Sequence, residues 1–317
     1  MVVGGTGFIG RAVVEALLDG PCDGIAPPVV KVLCRHPPPP AQRNDRVQYV
    51  IGDLSDPRTL QGVCSGLTTV VHAASYVGGE PRHCREVNHL GTLALLEESG
   101  RADVRRFVYI STAAVYGFGP HRGLTEMEAV PAPQSAASAS RLEAEHAVRR
   151  AGGVVLRPHL IYGPGDRWFI PTMARLLHRV PMWPRGLSPH SSVLHANDLG
   201  RVVAALVDGE RPPAAGHVYH VAHPRPESMR ALASTVCRWL GLPQPEDSLS
   251  AAEHRLLTTQ ALPALSAHQY DLLTQDHWYD TSRIWRHTEV ACGAGFKARF
   301  AECSGWYRRH LVDLLEA

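Results

Sequence analysis

Residues 4–10 read Gly4-Gly5-Thr6-Gly7-Phe8-Ile9-Gly10, set between the apolar pair Val2-Val3 and a helical pattern at residues 11–18. Gly4, Gly7 and Gly10 fall at every third position. Glycine permits a tight strand-to-helix turn and lets the backbone approach a pyrophosphate, which then rests on the positive end of the next helix. Thr6, Phe8 and Ile9 complete the loop. Glycine loops are common in ordinary turns; the strand–loop–helix setting is what gives this one meaning.

Working outward, short apolar runs at residues 29–34, 47–51, 69–73, 107–111 and 154–156 alternate with helical patterns at 56–64, 84–99 and 138–151. Runs this short, bounded by Gly, Pro or charge, have the texture of strands buried on both faces. Alternating strands and helices predict an α/β fold with a doubly wound parallel sheet. Past Pro158 the texture changes. Prolines and tryptophans cluster at 164–189, followed by a helix at 196–206, a strand at 217–221 and a mixed helical stretch at 227–240 and 249–273. The prolines of 27–28 and 37–40 read as stiff loop.

The end of the second strand bears on cofactor choice. An acid there would bind the adenosine ribose hydroxyls, but the chain reads Lys31-Val-Leu-Cys-Arg35-His36. Arg35, with His36 beside it, can clamp a 2′-phosphate, which predicts NADP(H); an ordinary exposed arginine is the plainer alternative. Asp53-Leu54, after the third strand, stands where such folds cap the adenine.

Composition narrows the classes. The 317 residues carry 32 basic and 30 acidic side chains, a net charge of +2, with no basic stripe for nucleic acid and no polybasic run for anionic lipid. No apolar run approaches the roughly 20 residues a bilayer requires. The N-terminus enters the glycine motif without a charged leader, so no secretory signal is expected. Cys22, Cys34, Cys64, Cys84, Cys237, Cys292 and Cys303 form no Cys-x-x-Cys pair, which reads as free thiols in a reducing cytoplasm with no metal framework. Only Lys31 and Lys297 are lysines; nearly all basic charge is arginine.

In combination, further segments make the chain resemble the extended short-chain dehydrogenase/reductase family over nearly its whole length. They are Gly52-Asp53-Leu54, Val71-His72-Ala73-Ala74, Glu86-Val-Asn88, Tyr109-Ile-Ser111-Thr112-Ala-Ala-Val-Tyr116-Gly117, Leu156-Arg-Pro158-His-Leu-Ile-Tyr162-Gly and His195-Ala-Asn-Asp198. The resemblance implies a Rossmann core, a nicotinamide cofactor and a smaller, mixed C-terminal substrate lobe. On this basis 1–163 and 190–225 form the cofactor domain, and 164–189 with 226–317 the lobe. It implies that Ala73, Ala74 and Ser75 lie beneath the cofactor, that Asn88 supports the central helix, and that Pro158, Leu160 and Ile161 border the nicotinamide. Thr112, with Ser111 beside it, is the implied catalytic hydroxyl. Family members usually have more residues before the glycine loop, so the natural start is expected upstream of Met1. A homodimer through the two long core helices is common in the family.

One departure is informative. The family protonates the alkoxide with a tyrosine about 25 residues after the catalytic hydroxyl, helped by a lysine one helical turn later. Those positions hold Ala137 and Arg141, and the residues before Lys31 and Lys297 exclude a displaced Tyr-x-x-x-Lys. Arginine can still meet the cofactor ribose but is a poor acid. Three outcomes stay open: a reductase with another proton source, a cofactor-binding protein without redox chemistry, or a non-redox reaction. Replacement donors are Ser111, Thr112, Ser135, Ser138, His159 and Tyr162. A phenol on the substrate beside its ketone is another, with acidity near that of tyrosine and no enzyme acid needed. That chemistry suits an aromatic polyketide ketone. Tyr76, Ala137, His159, Trp168, Phe169, Met173 and Trp183 are the expected substrate residues, with Met182 nearby.

Overall fold

The computed structural model describes residues 1–20, 30–209 and 213–316. Seven parallel strands form the central sheet: β1 (Val2–Val3), β2 (Val30–Cys34), β3 (Val47–Ile51), β4 (Thr69–His72), β5 (Arg106–Ile110), β6 (Val154–Pro158) and β7 (Val218–Val221). Their order is β7-β6-β5-β4-β1-β2-β3. Val2 pairs with Val32 on one side and Val71 on the other, so the strand order reverses at β1, where doubly wound sheets open a ligand crevice. Burial on both faces explains why β4, β5 and β6 read as unbroken apolar runs. One face packs Val13, Leu199 and Val203 from the helices Phe8–Leu18 and Ala196–Asp208; the other packs Leu95, Ala144 and Val148 from Gly91–Arg101 and Ala136–Arg150.

A second core lies beyond the sheet. Phe169, Ile170, Met173, Leu232, Val236, Phe300 and Tyr307 gather from the helices Phe169–Arg179, Met229–Leu240 and Phe296–Glu316. Asp166 joins it to the first: its carboxylate accepts from the amides of Trp168, Phe169 and Ile170 and from Tyr307 Oη at 3.0 Å, while Tyr307 Oη also accepts from Gly163 N at 2.8 Å.

Several expectations are corrected. Residues 56–64 hold only the 3₁₀ turn Pro57–Leu60, because the chain reverses at Gly62 with φ +75°. The helix expected at 84–99 runs from Pro81 to Arg101 with a π turn at Arg85–Leu90. Residues 249–273 split into Ala251–Ala261 and Ala267–Thr274, each opened by a serine capping box, with Pro263 in the break. The helices Phe169–Arg179 and Phe296–Glu316 are additions. So is a four-stranded sheet ordered Glu227–Ser228, His190–Ser191, His277–Tyr279, His121–Leu124. Cys22, Val29 and prolines 27–28 lie outside the described residues; the six described cysteines are free thiols. No helix among the described residues is long and apolar enough to cross a membrane.

Candidate active site

The glycine loop turns at Gly4, whose φ of +79° suits glycine, and closes with Gly7 N donating to Gly4 O at 2.9 Å. A Cβ at Gly10 would stand 2.1 Å from Gly4 O, and one at Gly4 would stand 2.8 Å from Ala74 N. Loop, helix and the end of β4 are thus in backbone contact. No side chain caps the helix Phe8–Leu18, so its first amides stay free for an anion. Thr6 is exposed at the loop, and Phe8 and Ile9 are half-buried. A dinucleotide pyrophosphate fits this cradle.

Arg35 and His36 are exposed just past β2. Asp53 Oδ1 accepts from Ser55 N at 2.9 Å and Ser55 Oγ at 2.8 Å. Burial pushes the Asp53 carboxyl up, but those donors and the Arg35 charge outweigh it and hold it below its usual range. Leu54 turns its side chain into the core, which leaves only its backbone for a ligand. Beyond β4, Ala73, Ala74 and Ser75 are half-buried. Asn88, in the π turn, accepts from Tyr76 N at 2.7 Å and Ser75 Oγ at 3.3 Å, and donates to Tyr76 O at 2.9 Å and Ser140 Oγ at 3.0 Å. One amide thus fixes the β4 loop to the helix Ala136–Arg150. Tyr76 rests against His83 with ring centres 4.4 Å apart.

At the end of β5, Thr112 Oγ1 accepts from Ala114 N at 3.1 Å, opening a 3₁₀ turn at Ala113–Tyr116. One of its two lone pairs is engaged, and its hydroxyl proton is left to be donated to a ligand. Ser111 Oγ is buried with no partner among the described residues. Arg141 does not reach outward with its whole guanidinium: Nη2 donates to Ile110 O at 3.0 Å, and its buried Nε has no partner. Ala137 occupies the first turn of the same helix.

The replacement donors separate clearly. Ser135 and Ser138 form the capping box of Ala136–Arg150 and are consumed there. Tyr162 is buried against Phe296 and His195, and burial raises its phenol far above the usual range. Tyr116 Oη accepts from Arg157 Nη1 at 2.7 Å and meets His220 Nε2; burial pushes it up to about 12. His159, after the buried Pro158, stacks on His277 at 5.7 Å and meets the Tyr279 ring at 5.6 Å. Its Nε2 is buried without a partner. Burial first, then the charges of His277, His121 and His268, hold its pKa well below 6.5. His159 is therefore neutral at pH 7, able to donate one N–H but not to act as an imidazolium acid. Leu160 and Ile161 are buried behind it.

The expected substrate wall needs correction. Phe169 and Met173, 1% and 3% exposed, lie in the second core, because their helix turns its apolar face inward. Trp168, Met182 and Trp183 pack on its rim, and Trp183 also carries Arg230 over its ring at 5.1 Å. Sequence reasoning missed His121, His277 and Tyr279. These come from strands too short to recognise, and the only signal was 18 histidines in the chain. His121 Nδ1 and Tyr279 Oη share a hydrogen bond at 2.9 Å.

Residues 1–222 match the NAD dependent epimerase/dehydratase family. The chain belongs to that family. Within it, a ceramide reductase from Caulobacter vibrioides is 33% identical over 222 residues, covering 68% of this chain and 62%, less than two thirds, of that protein. A 4-hydroxy-2-methyl-3-oxo-4-farnesyl-3,4-dihydroquinoline-1-oxide ketoreductase from Stigmatella aurantiaca is 28% identical over 255 residues, covering 76% of this chain and 73% of that one. A dTDP-glucose 4,6-dehydratase structure from Streptomyces venezuelae, with NAD bound, superposes with a TM-score of 0.75 at 23% identity, covering 99% and 98% of the two chains. The family's nicotinamide cofactor accounts for the glycine cradle and the uncapped helix.

Proposed function

We propose that the protein is an NADPH-dependent ketoreductase acting on a ketone of an aromatic polyketide, similar to the atypical angucyclinone C-7 ketoreductase of simocyclinone biosynthesis. The observation that carries this reading is the pairing of a retained donor, Thr112, with Ala137 and Arg141 where the family's tyrosine and lysine stand. A relative named as a ketoreductase and another named as a ceramide reductase support it.

Gly4, Gly7, Gly10 and the helix Phe8–Leu18 would hold the pyrophosphate, Arg35 and His36 the 2′-phosphate, and Ala73–Ser75, Arg141 and Pro158–Ile161 the nicotinamide end. Bound there, the cofactor supplies a hydride to the carbonyl carbon. Thr112 donates a hydrogen bond to the carbonyl oxygen and strengthens it as negative charge develops. His159, neutral, offers an N–H to a neighbouring oxygen. Ala137 leaves room for a bulky ring where a tyrosine would stand. The proton for the alkoxide comes from a phenol on the substrate, and the phenolate left behind takes a proton from solvent.

The test is to incubate the protein with NADPH and a panel of ketones with and without an adjacent phenol, following loss of cofactor absorbance. Turnover confined to the phenolic ketones supports the reading; equal turnover of the methyl ethers removes it. Tight NADPH binding with no turnover across the panel would favour the second reading from the missing pair, a redox-inactive cofactor-binding regulator. An epimerase or dehydratase is disfavoured because, by the family resemblance, those reactions begin with oxidation of the substrate by the nicotinamide cofactor, for which a tyrosinate at the position of Ala137 would take the hydroxyl proton.

A further inference from the structure

Between the helix Phe169–Arg179 and the turn that follows Ala251–Ala261 lies a cavity of about 310 Å3. That is the small end of the range for ligand pockets and suits a compact aromatic group better than a nucleotide. Trp168, Thr172, Arg175, His178 and Arg179 line it from the helix and its N-cap, and the apolar turn around Leu262 closes it; among the described residues no carboxylate borders the space.

Arg175 is poorly satisfied: its Nη2 reaches Thr172 Oγ1 only at 3.5 Å, and its Nε is buried with no acceptor. Arg141 and Arg299 also bury an unpartnered Nε, but Arg141 donates to Ile110 O at 3.0 Å and Arg299 meets Asp198 at 2.7 Å, whereas among the described residues Arg175 has neither a carboxylate nor a short hydrogen bond. Burying a guanidinium nitrogen unsatisfied, with like charge one helical turn away at Arg179, is unfavourable on both counts. A bound oxyanion relieves both, and the planar fork of arginine matches a carboxylate. Gln269 lines the cavity from the helix Ala267–Thr274, and on that helix the His268 ring meets Phe118 at 5.3 Å, two residues past the 3₁₀ turn that Thr112 opens.

The geometry points to this cavity as the subsite for an aryl carboxylate, the acidic end of the substrate whose carbonyl lies at Thr112. The placement of that carbonyl rests on the ketoreductase reading; binding of an aryl acid does not. The experiment is calorimetric titration of the full chain with 2-naphthoate and its neutral counterpart 2-naphthamide. The expected result is an affinity for the acid about tenfold or more above the amide. Arg175→Gln with Arg179→Gln removes the preference, and Ala264→Trp, which fills the space, weakens both probes. Equal affinity for acid and amide in the unaltered protein overturns the site without any variant, as does a preference that survives the double substitution. The ketone panel is then run with acid and methyl-ester pairs. A selective anion site with no gain in kcat/KM for the acid overturns its assignment to the substrate. Selective binding with no turnover of any ketone removes the ketoreductase reading and the substrate assignment with it, leaving only an anion-binding cavity.

Discussion

Arg141 Nη2 donates to the carbonyl of Ile110 at 3.0 Å, one residue before Ser111-Thr112. The arginine therefore fastens the helix Ala136–Arg150 to the strand that ends beside Ser111-Thr112. Ala137→Tyr combined with Arg141→Lys rebuilds the family's pair in sequence only. We expect no more than about a threefold gain in kcat for NADPH-dependent reduction. A gain of the order of 10²-fold, the low end of general acid catalysis, would mean that the site is a decayed ordinary one.

Thr112→Val keeps the shape of the side chain and removes the donor. Loss of one donor to a developing oxyanion costs about 10²–10³ in kcat. Thr112→Ser should restore most of the rate, and the dissociation constant of NADPH, measured by fluorescence, should be unchanged in both.

Arg35→Ala tests cofactor choice. Removing a charge-assisted contact to the 2′-phosphate should weaken NADPH by about 10- to 100-fold and leave NADH nearly untouched. Parallel calorimetric titrations decide it; equal weakening of both cofactors would assign Arg35 a role outside phosphate recognition.

Glu145 and Arg157 form an ion pair that is almost completely buried, with Tyr116 on the same guanidinium. Breaking such a pair from one side strands a buried charge and costs about 3–5 kcal/mol. Glu145→Leu or Arg157→Met should lower the urea midpoint sharply, while the double substitution recovers much of the loss. Equal or greater damage in the double variant would show that the pair itself is stabilising.

The buried imidazoles set an acid limit. Burial holds His220 and His277 at about 4 and His72 at about 3, against 6.5 in an unfolded chain. Below pH 6.5 the unfolded chain takes up protons that the folded one refuses, so stability is full above 6.5 and falls as pH drops toward 4. Each such histidine contributes a slope of about 1 kcal/mol per pH unit in that window. Urea midpoints at pH 7, 6 and 5 measure it, and His277→Phe should flatten the curve.

The cofactor half was legible because each of its signals is local. Gly4–Gly10, the apolar runs of β2 to β6 and the Ser111-Thr112 end of β5 announce themselves within a few residues. That an alanine, Ala137, stands 25 residues after Thr112 could be counted directly. The substrate side could not be read this way. His121 and His277 face each other only because strands 154 residues apart pair, with Arg122 bonded to Asp276 at the seam. Phe169 and Met173 looked like pocket residues because sequence does not reveal which face of a helix meets the core. The Asn88 clamp was half visible. Its motif was recognised, but the acceptor and donor pair at Tyr76 depends on a π turn that no periodicity predicts.

Tyr307 reaches back across 141 positions to Asp166, whose carboxylate starts the helix bearing Arg175 and Arg179. A chain emerging from the ribosome can fold its nucleotide cradle early, because the pieces lie close together in order of synthesis. The second core, and with it the cavity beside Arg175, has to wait until the far helix arrives. A partly made molecule would therefore hold coenzyme before that cavity exists, and shortening the helix before residue 307 should reproduce this half-finished state, with coenzyme bound and no affinity for 2-naphthoate.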